Sequence, residues 1–249
     1  TQHPIQYHSP LYRRYNESDR IEVTVFYCCR RGIESYEAEK LGGAEVEWDI
    51  PLLEGYESVF LENMSPKTPV EDGFFSLINP SIIRQLLEHD LDALSVHGHN
   101  FATYHIALLA TRILGIPVFT SSDTHLGLER PLLKRLLRKP LLSLFYKNFE
   151  AFLAIGEMNR EFYKAHGVDE EEIFHVPYTV DNDFFQQRTL EASEIPEFKR
   201  RERLHVERPV VLYVSKLMER KRPGDLLEAY RRLRDRGGDA QLVFVGDGH

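Results

Sequence analysis

Two lysines and two glycines near the end of the chain have the types and spacing of an anion site. Lys216 follows Ser215 and the apolar run Val210 to Val214, and Lys221 comes five residues later, just before Arg222-Pro223 and a helical pattern. Such a run reads as a parallel strand, which sets Lys216 at the carboxyl edge of a sheet, where α/β folds bind ligands. Two cations beside a helix amino end suit a diphosphate, because ammonium groups and unpaired first-turn N–H groups present the same sign of charge. Beyond that helix, Val243-Phe-Val-Gly-Asp-Gly248 closes a second apolar run with Gly246 and Gly248, which would let the backbone approach a ligand closely. A lone Gly-x-Gly is a weak signal, and the lysines taken singly also fit solvated loop charges.

Three further groups invite a chemical reading. His97 and His99, in Val96-His-Gly-His-Asn100, stand at the carboxyl end of another strand candidate. Two histidines can begin a metal site, but ligation needs more donors than this run supplies, and structural or acceptor-lining roles fit better. Cys28 and Cys29 are adjacent in a strand-like run, where neighbouring side chains point to opposite faces and a bridge would be strained. They read as small hydrophobes in a reducing compartment. The segment 130–145 carries five cations among many leucines. Such a helix either packs its leucines on the sheet or lies on an anionic membrane surface, and Pro140 is expected to divide it.

The elements that must position these residues alternate between short apolar runs and helical patterns. Strands are expected at Ile21–Tyr27, Ala93–Val96, Pro117–Thr120, Phe152–Ile155, Ile173–Val176, Val210–Val214 and Gln241–Val245. Several lack polar alternation, as strands covered on both faces do. Helices are expected at Ala102–Leu114, stopped by Gly115 and Pro117, at Glu157–His166, stopped by Gly167, and at Pro223–Arg236, stopped by Gly237-Gly238. The fold class is therefore α/β with parallel sheets. The rhythm breaks between Asn182 and Arg208, which points to a domain at 1–182, a linker at 183–208 and the start of a second domain at 209–249. The chain opens on Thr1 and stops in a Gly turn, so it reads as a fragment.

Composition narrows the function. The 249 residues are 42% hydrophobic with a net charge of −8, enough core material for a globular protein and too acidic for a general nucleic-acid binder. Basic residues concentrate late, with 13 against 7 acidic between Glu197 and Arg236. No signal peptide is visible, and the longest uncharged stretch, 94–111, holds three histidines, an Asn and a Gly, so it reads as buried strand and helix.

Three segments in order carry a family resemblance: Phe152-Leu-Ala-Ile-Gly-Glu-Met-Asn-Arg-Glu-Phe-Tyr163, Pro177-Tyr-Thr-Val-Asp181 and Ser215-Lys-Leu-Met-Glu-Arg-Lys-Arg-Pro223. Together they resemble the retaining glycosyltransferases of family 4, whose two-domain architecture is GT-B. The second is similar to that family's Pro-Asn-Gly-Val-Asp motif. The third is similar to its Gly-Arg-Leu…Lys-Gly element, whose Arg and Lys hold the donor diphosphate, so the resemblance carries those roles to Lys216 and Lys221. Thr1-Gln-His-Pro-Ile-Gln-Tyr-His-Ser-Pro-Leu-Tyr-Arg13 and Trp48-Asp-Ile-Pro-Leu-Leu-Glu-Gly-Tyr56 resemble one branch of the family.

The departures from the pattern matter as much. The family's phosphate-approaching Gly-Gly pair is replaced by His3-Pro4, with Gln6 nearby as an amide donor to phosphate or sugar. The family's histidine beside the transferred sugar falls, by counting along Gly115-Ile-Pro-Val-Phe-Thr-Ser-Ser-Asp-Thr-His125, on Asp123, with His125 two residues on. A carboxylate or imidazole there would orient the sugar or accept the acceptor's proton; a plain loop Asp capping a helix is the simpler alternative. The resemblance implies a Rossmann-like acceptor domain, the opening of a nucleotide-sugar-binding domain, and cytoplasmic, metal-independent transfer from a nucleotide-diphosphate sugar to a glycan, lipid-linked or small-molecule acceptor. A sugar-nucleotide epimerase of the same fold and a non-catalytic nucleotide- or partner-binding module are the alternatives.

Overall fold

The computed structural model describes residues 1–33, 36–38, 44–46, 48, 50–66, 73–127 and 132–248, with the side chains of 36–38, 44–46 and 132–138 outside the description. Along the chain run α1 (Ser9–Asn16), β1 (Thr24–Tyr27), β2 (Tyr36–Ala38), β3 (Ala44–Val46), β4 (Glu57–Phe60), α2 (Ile82–Glu88), β5 (Leu94–His97), α3 (Ala102–Leu114), β6 (Val118–Ser122), α4 (Leu132–Tyr146), β7 (Ala151–Ala154), α5 (Glu157–Ala165) and β8 (Ile173–His175). They are followed by α6 (Asn182–Gln187), α7 (Ile195–Arg201), β9 (Val210–Val214), α8 (Pro223–Asp235) and β10 (Gln241–Val245). The chain divides into two compact units, Thr1–Ile33 with Asp49–Val180, and Glu34–Trp48 with Asp181–His249.

The first unit is built on a parallel sheet in the order β5-β6-β7-β8, with α3, α4 and α5 as the successive crossovers. A parallel pair, β1 with β4, lies in the same unit, and the chain's start runs beside it: the Cys28 N–H donates to the Thr1 carbonyl at 3.1 Å and that of Cys29 to Gln2 at 3.0 Å. Asn79 is fully buried and fastens this pair, its amide donating to the Cys28 and Glu62 carbonyls at 2.9 Å each. Helix α3 ends as its sequence dictates. Gly115 takes φ 71°, a left-handed cap where a side chain would be strained, and its N–H donates to Thr111. One face of α3, with Ala107, Leu108 and Thr111, is buried in the main core with Val96, Val118, Phe152 and Tyr163.

One expectation needs correction. Helix α4 is continuous through Pro140, and the first residues of the leucine-rich segment, Arg130 and Pro131, lie outside the described residues. Its described leucines divide: Leu142 is buried in the core, whereas Leu141 and Leu144 are 68% and 65% exposed. The stretch 183–208 carries two helices, α6 and α7, α6 capped by the Asp181 carboxylate accepting from the Phe184 N–H at 2.9 Å. The strand β4 and the short pair β2/β3 had no clear sequence signal.

Cys28 and Cys29 are buried free thiols, and burial pushes both upward in pKa, which suits inert small hydrophobes. In the second unit β9 and β10 pair in parallel from Val210 with Gln241 to Val214 with Val245, and α8 is their crossover. Among the described residues no helix is long and apolar enough to cross a membrane.

Candidate functional site

In the first unit, candidate residues collect at the carboxyl ends of β5, β6 and β7. His97 is the last residue of β5, and its Nδ1 lies 2.8 Å from the Ser121 hydroxyl on the neighbouring strand. Its ring meets the edge of the His8 ring at 5.5 Å between centroids. His8 stands at the start of α1 and was not singled out in the sequence; a histidine ahead of Ser9-Pro10, a helix-opening pair, was the available signal. Burial, with His97 second, pushes the His8 imidazole down to about 4, and its Nδ1 is buried without a hydrogen-bond partner. Burial also lowers His97, opposed by the charge of Asp123. Both rings are therefore neutral at pH 7, able to accept a hydrogen bond from a hydroxyl as well as to donate one.

Asp123 follows β6 directly and is exposed. Its charge is felt by three groups: it favours the protonated form of His97 and, after burial, adds to the upward shifts of Tyr163 and Tyr178. Tyr178 belongs to the Pro177–Asp181 motif, so the fold brings that motif towards Asp123. The loop after Asp123 is latched by the buried Asn159 of α5, whose amide donates to the Thr124 carbonyl at 2.8 Å and whose oxygen accepts from the Ile155 N–H at 3.2 Å. His125 is half-buried in that loop, with Nδ1 accepting from the Gly127 N–H at 3.2 Å. Gln6 is half-buried ahead of α1.

His99 is placed differently from its neighbour. Its ring packs 5.8 Å from Phe145 of α4, and its carbonyl pairs with His105 at 3.2 Å, so the two histidines of the His-Gly-His run serve separate surroundings. Among the described residues no three His, Cys, Asp or Glu side chains are grouped to hold a metal ion.

In the second unit Lys216, Lys221, Gly246 and Gly248 come together at the carboxyl ends of β9 and β10. Both lysines are exposed. The loop between them is pinned by the Tyr213 hydroxyl, which lies 3.1 Å from the Lys221 carbonyl and 3.4 Å from that of Lys216. The pairing of β9 and β10 continues past the strands, with the Ser215 N–H donating to Val245 at 3.1 Å and the Leu217 N–H to Asp247 at 2.9 Å. A Cβ at Gly246 would overlap the Ser215 carbonyl oxygen, and one at Gly248 the Leu217 carbonyl oxygen. The glycines thus have a purpose the sequence did not suggest: they let two backbones run side by side, which holds the segment carrying Lys216. Helix α8 begins immediately after Lys221 and Arg222; it opens on Pro223, which carries no N–H, and the Asp225 N–H donates to the Arg222 carbonyl at 3.2 Å, so what the helix start offers the lysine loop is the positive end of its dipole.

A family profile described as Glycosyltransferase Family 4 matches residues 11–184. No curated protein matches the chain significantly. Among solved structures, a glycosyltransferase from Rickettsia africae is similar over 91% of this chain and 52% of its own, at 14% identity and a TM-score of 0.58. The Anabaena protein HepE, solved with UDP and glucose, is similar over 98% of this chain and 64% of its own, at 12% identity and a TM-score of 0.56. The chain therefore spans between about half and two thirds of the length of these two structures.

Proposed function

The chain belongs to Glycosyltransferase Family 4 and has the GT-B α/β fold, and from that premise we propose that it is part of an enzyme moving a sugar from a nucleotide-diphosphate donor to an acceptor hydroxyl, with retention of configuration. The observation that carries the donor half is the pinned pair of lysines. Lys216 and Lys221 sit on one loop tied by Tyr213 and by the glycine segment, beside the start of α8. Fixed cations placed where the departing diphosphate gathers charge lower the barrier without reorganising during the reaction, and no metal is required of them. HepE, of the same fold, was solved with UDP and glucose, which supports a nucleotide-sugar donor.

The acceptor half rests on Asp123. It is exposed at the end of β6, next in the chain to a loop held by Asn159, and its charge reaches His97 and Tyr178. We assign it to orienting the sugar or accepting the acceptor's proton, with His125 as the alternative and Gln6 and His97 as lining residues; His99, turned to Phe145, is left outside that lining. Residues 1–182 form the acceptor domain, 183–208 the connection and 209–249 the opening of the donor domain. The acceptor is a glycan, a lipid-linked molecule or a small molecule, and the reaction is cytoplasmic, peripheral at the inner face of the membrane.

The test is incubation of the whole protein with labelled UDP-, GDP- and ADP-sugars and a panel of acceptors. Acceptor-dependent product is expected, with the donor KM raised about tenfold or more in Lys216→Ala and in Lys221→Ala. Interconversion of the free sugar nucleotide without acceptor-dependent product would instead identify an epimerase.

A further inference from the structure

The contact between His8 and His97 lies where the strand order of the first unit reverses. Residues 1–2 pair with β1, which pairs in turn with β4, whereas β5 starts the row that runs to β6, β7 and β8. Such a reversal leaves a crevice at the carboxyl ends of its two central segments, and α/β folds bind ligands there. His8 follows the first of those segments and His97 ends the second. Their rings bound the crevice from either side, 5.5 Å apart between centroids.

The hydrogen bonds already made decide what each ring can offer. The Nδ1 of His97 is taken by the Ser121 hydroxyl at 2.8 Å, which leaves its Nε2 for a ligand. In His8 the Nδ1 is enclosed without a partner, and Nε2 is the nitrogen left open. Nδ1 goes unpaired in either tautomer, but an enclosed N–H without an acceptor is the rarer and costlier state, so the proton belongs on Nε2. The same enclosure keeps the ring uncharged, because an imidazolium carries a proton on both nitrogens. The Tyr12 ring, 5.9 Å from His8 and one turn along α1, packs against it.

The surrounding charge selects among ligands. Asp123 acts on His97, and among the described residues no lysine or arginine charge is felt by either ring. A phosphate brings negative charge to a carboxylate and two uncharged imidazoles, and it has no hydrogen to give them. A hydroxyl satisfies all three groups, because it accepts from an imidazole N–H and donates to a carboxylate.

We propose that His8 is a binding residue of this crevice, donating from Nε2 to a hydroxyl of the acceptor, and that the part of the acceptor held there is an uncharged sugar. This rests on the transfer reading of the same site, so one arm of its test needs no turnover. In the whole protein with isotope-labelled histidine, long-range proton–nitrogen spectra report the tautomer of each ring, and His8→Gln assigns the signal. The His8 proton should sit on Nε2, and that nitrogen should shift on addition of methyl α-D-glucopyranoside but not of inorganic pyrophosphate. A proton on Nδ1, a shift with pyrophosphate alone, or no shift with the glucoside would overturn the proposal, even in an active transferase. In the kinetic arm, with an acceptor that supports transfer, His8→Phe should raise the acceptor KM roughly three- to tenfold and leave the donor KM unchanged. His8→Gln, whose amide N–H stands near the place of Nε2, should restore much of the loss, and His8→Asn, whose shorter amide stands in for Nδ1, should not. Equal damage by Phe and Gln, or a parallel rise in the donor KM, would reduce His8 to a packing residue. A protein that uses no acceptor yet binds the glucoside at His8 would refute the transfer reading alone and leave His8 as a sugar-binding residue.

Discussion

At the residue scale, Asp123 and His125 compete for one role, and their surroundings separate them. His125 already spends its Nδ1 on the Gly127 N–H, whereas Asp123 is exposed and acts on His97 and Tyr178. Asp123→Ala should lower kcat about a hundredfold or more, and His125→Ala less than about tenfold; the reverse order in steady-state assays would transfer the role to His125. His8 gives a different test. Its imidazole is held neutral down to about pH 4, whereas in the unfolded chain it takes up a proton below about 6.5. The unfolded state therefore binds more protons in that window, and stability falls as pH drops from about 6.5 towards 4. A loss of roughly 3 kcal/mol is expected in urea titrations at stepped pH, and His8→Asn should remove most of the slope. The histidines that spacing singled out were 97 and 99, yet folding pairs 97 with 8. Sequence distance carries no information about that contact, which depends on the start of α1 meeting the end of β5.

At the element scale, the strand-to-helix connection after β9 is the device that presents the lysines. Tyr213 points from β9 to the two carbonyls of that connection, so Tyr213→Phe keeps the ring and removes the tie. It should cost about 1 kcal/mol of stability and raise the donor KM several-fold with little change in kcat, read from urea titration and initial rates. Helices α3, α5 and α8 lie within a residue of where their glycine stops and proline start put them. Their ends are decided locally, by backbone conformations that only the right residue allows. Strand β4 was missed because Glu57-Ser-Val-Phe60 has little pattern of its own, and its pairing with β1 is supplied by the rest of the chain. Helix α4 was expected to break at Pro140 and does not. Proline removes one N–H and crowds one turn, and a helix anchored by Leu142 and Tyr146 in the core can absorb that local cost.

At the scale of the whole molecule, the two units differ in how much they bury. The large core belongs to the first unit, whereas among the described residues of the second only Ala240 is a buried hydrophobe. On β9, Leu212 and Val214 are 57% and 67% exposed. Amides of β9 and β10 should therefore exchange with deuterium at least about a hundredfold faster than those of β6 and β7, by mass spectrometry of peptic peptides. Equal protection would show that this unit is stabilised by something other than its own packing. The amino-acid sequence alone determined the α/β class, the positions of most strands and helices, and the placing of Lys216 just past a strand and Lys221 just before a helix, because apolar periodicity, caps and turns act over a few residues; Asp123 was singled out by the family resemblance. Tertiary structure alone decided that His8 meets His97, that His99 turns to Phe145, that Gly246 and Gly248 make room for Ser215 and Leu217, and that Leu141 and Leu144 face outward. Those outcomes depend on which strands lie side by side and which helix face meets the sheet, and both are set by packing between segments far apart in the chain.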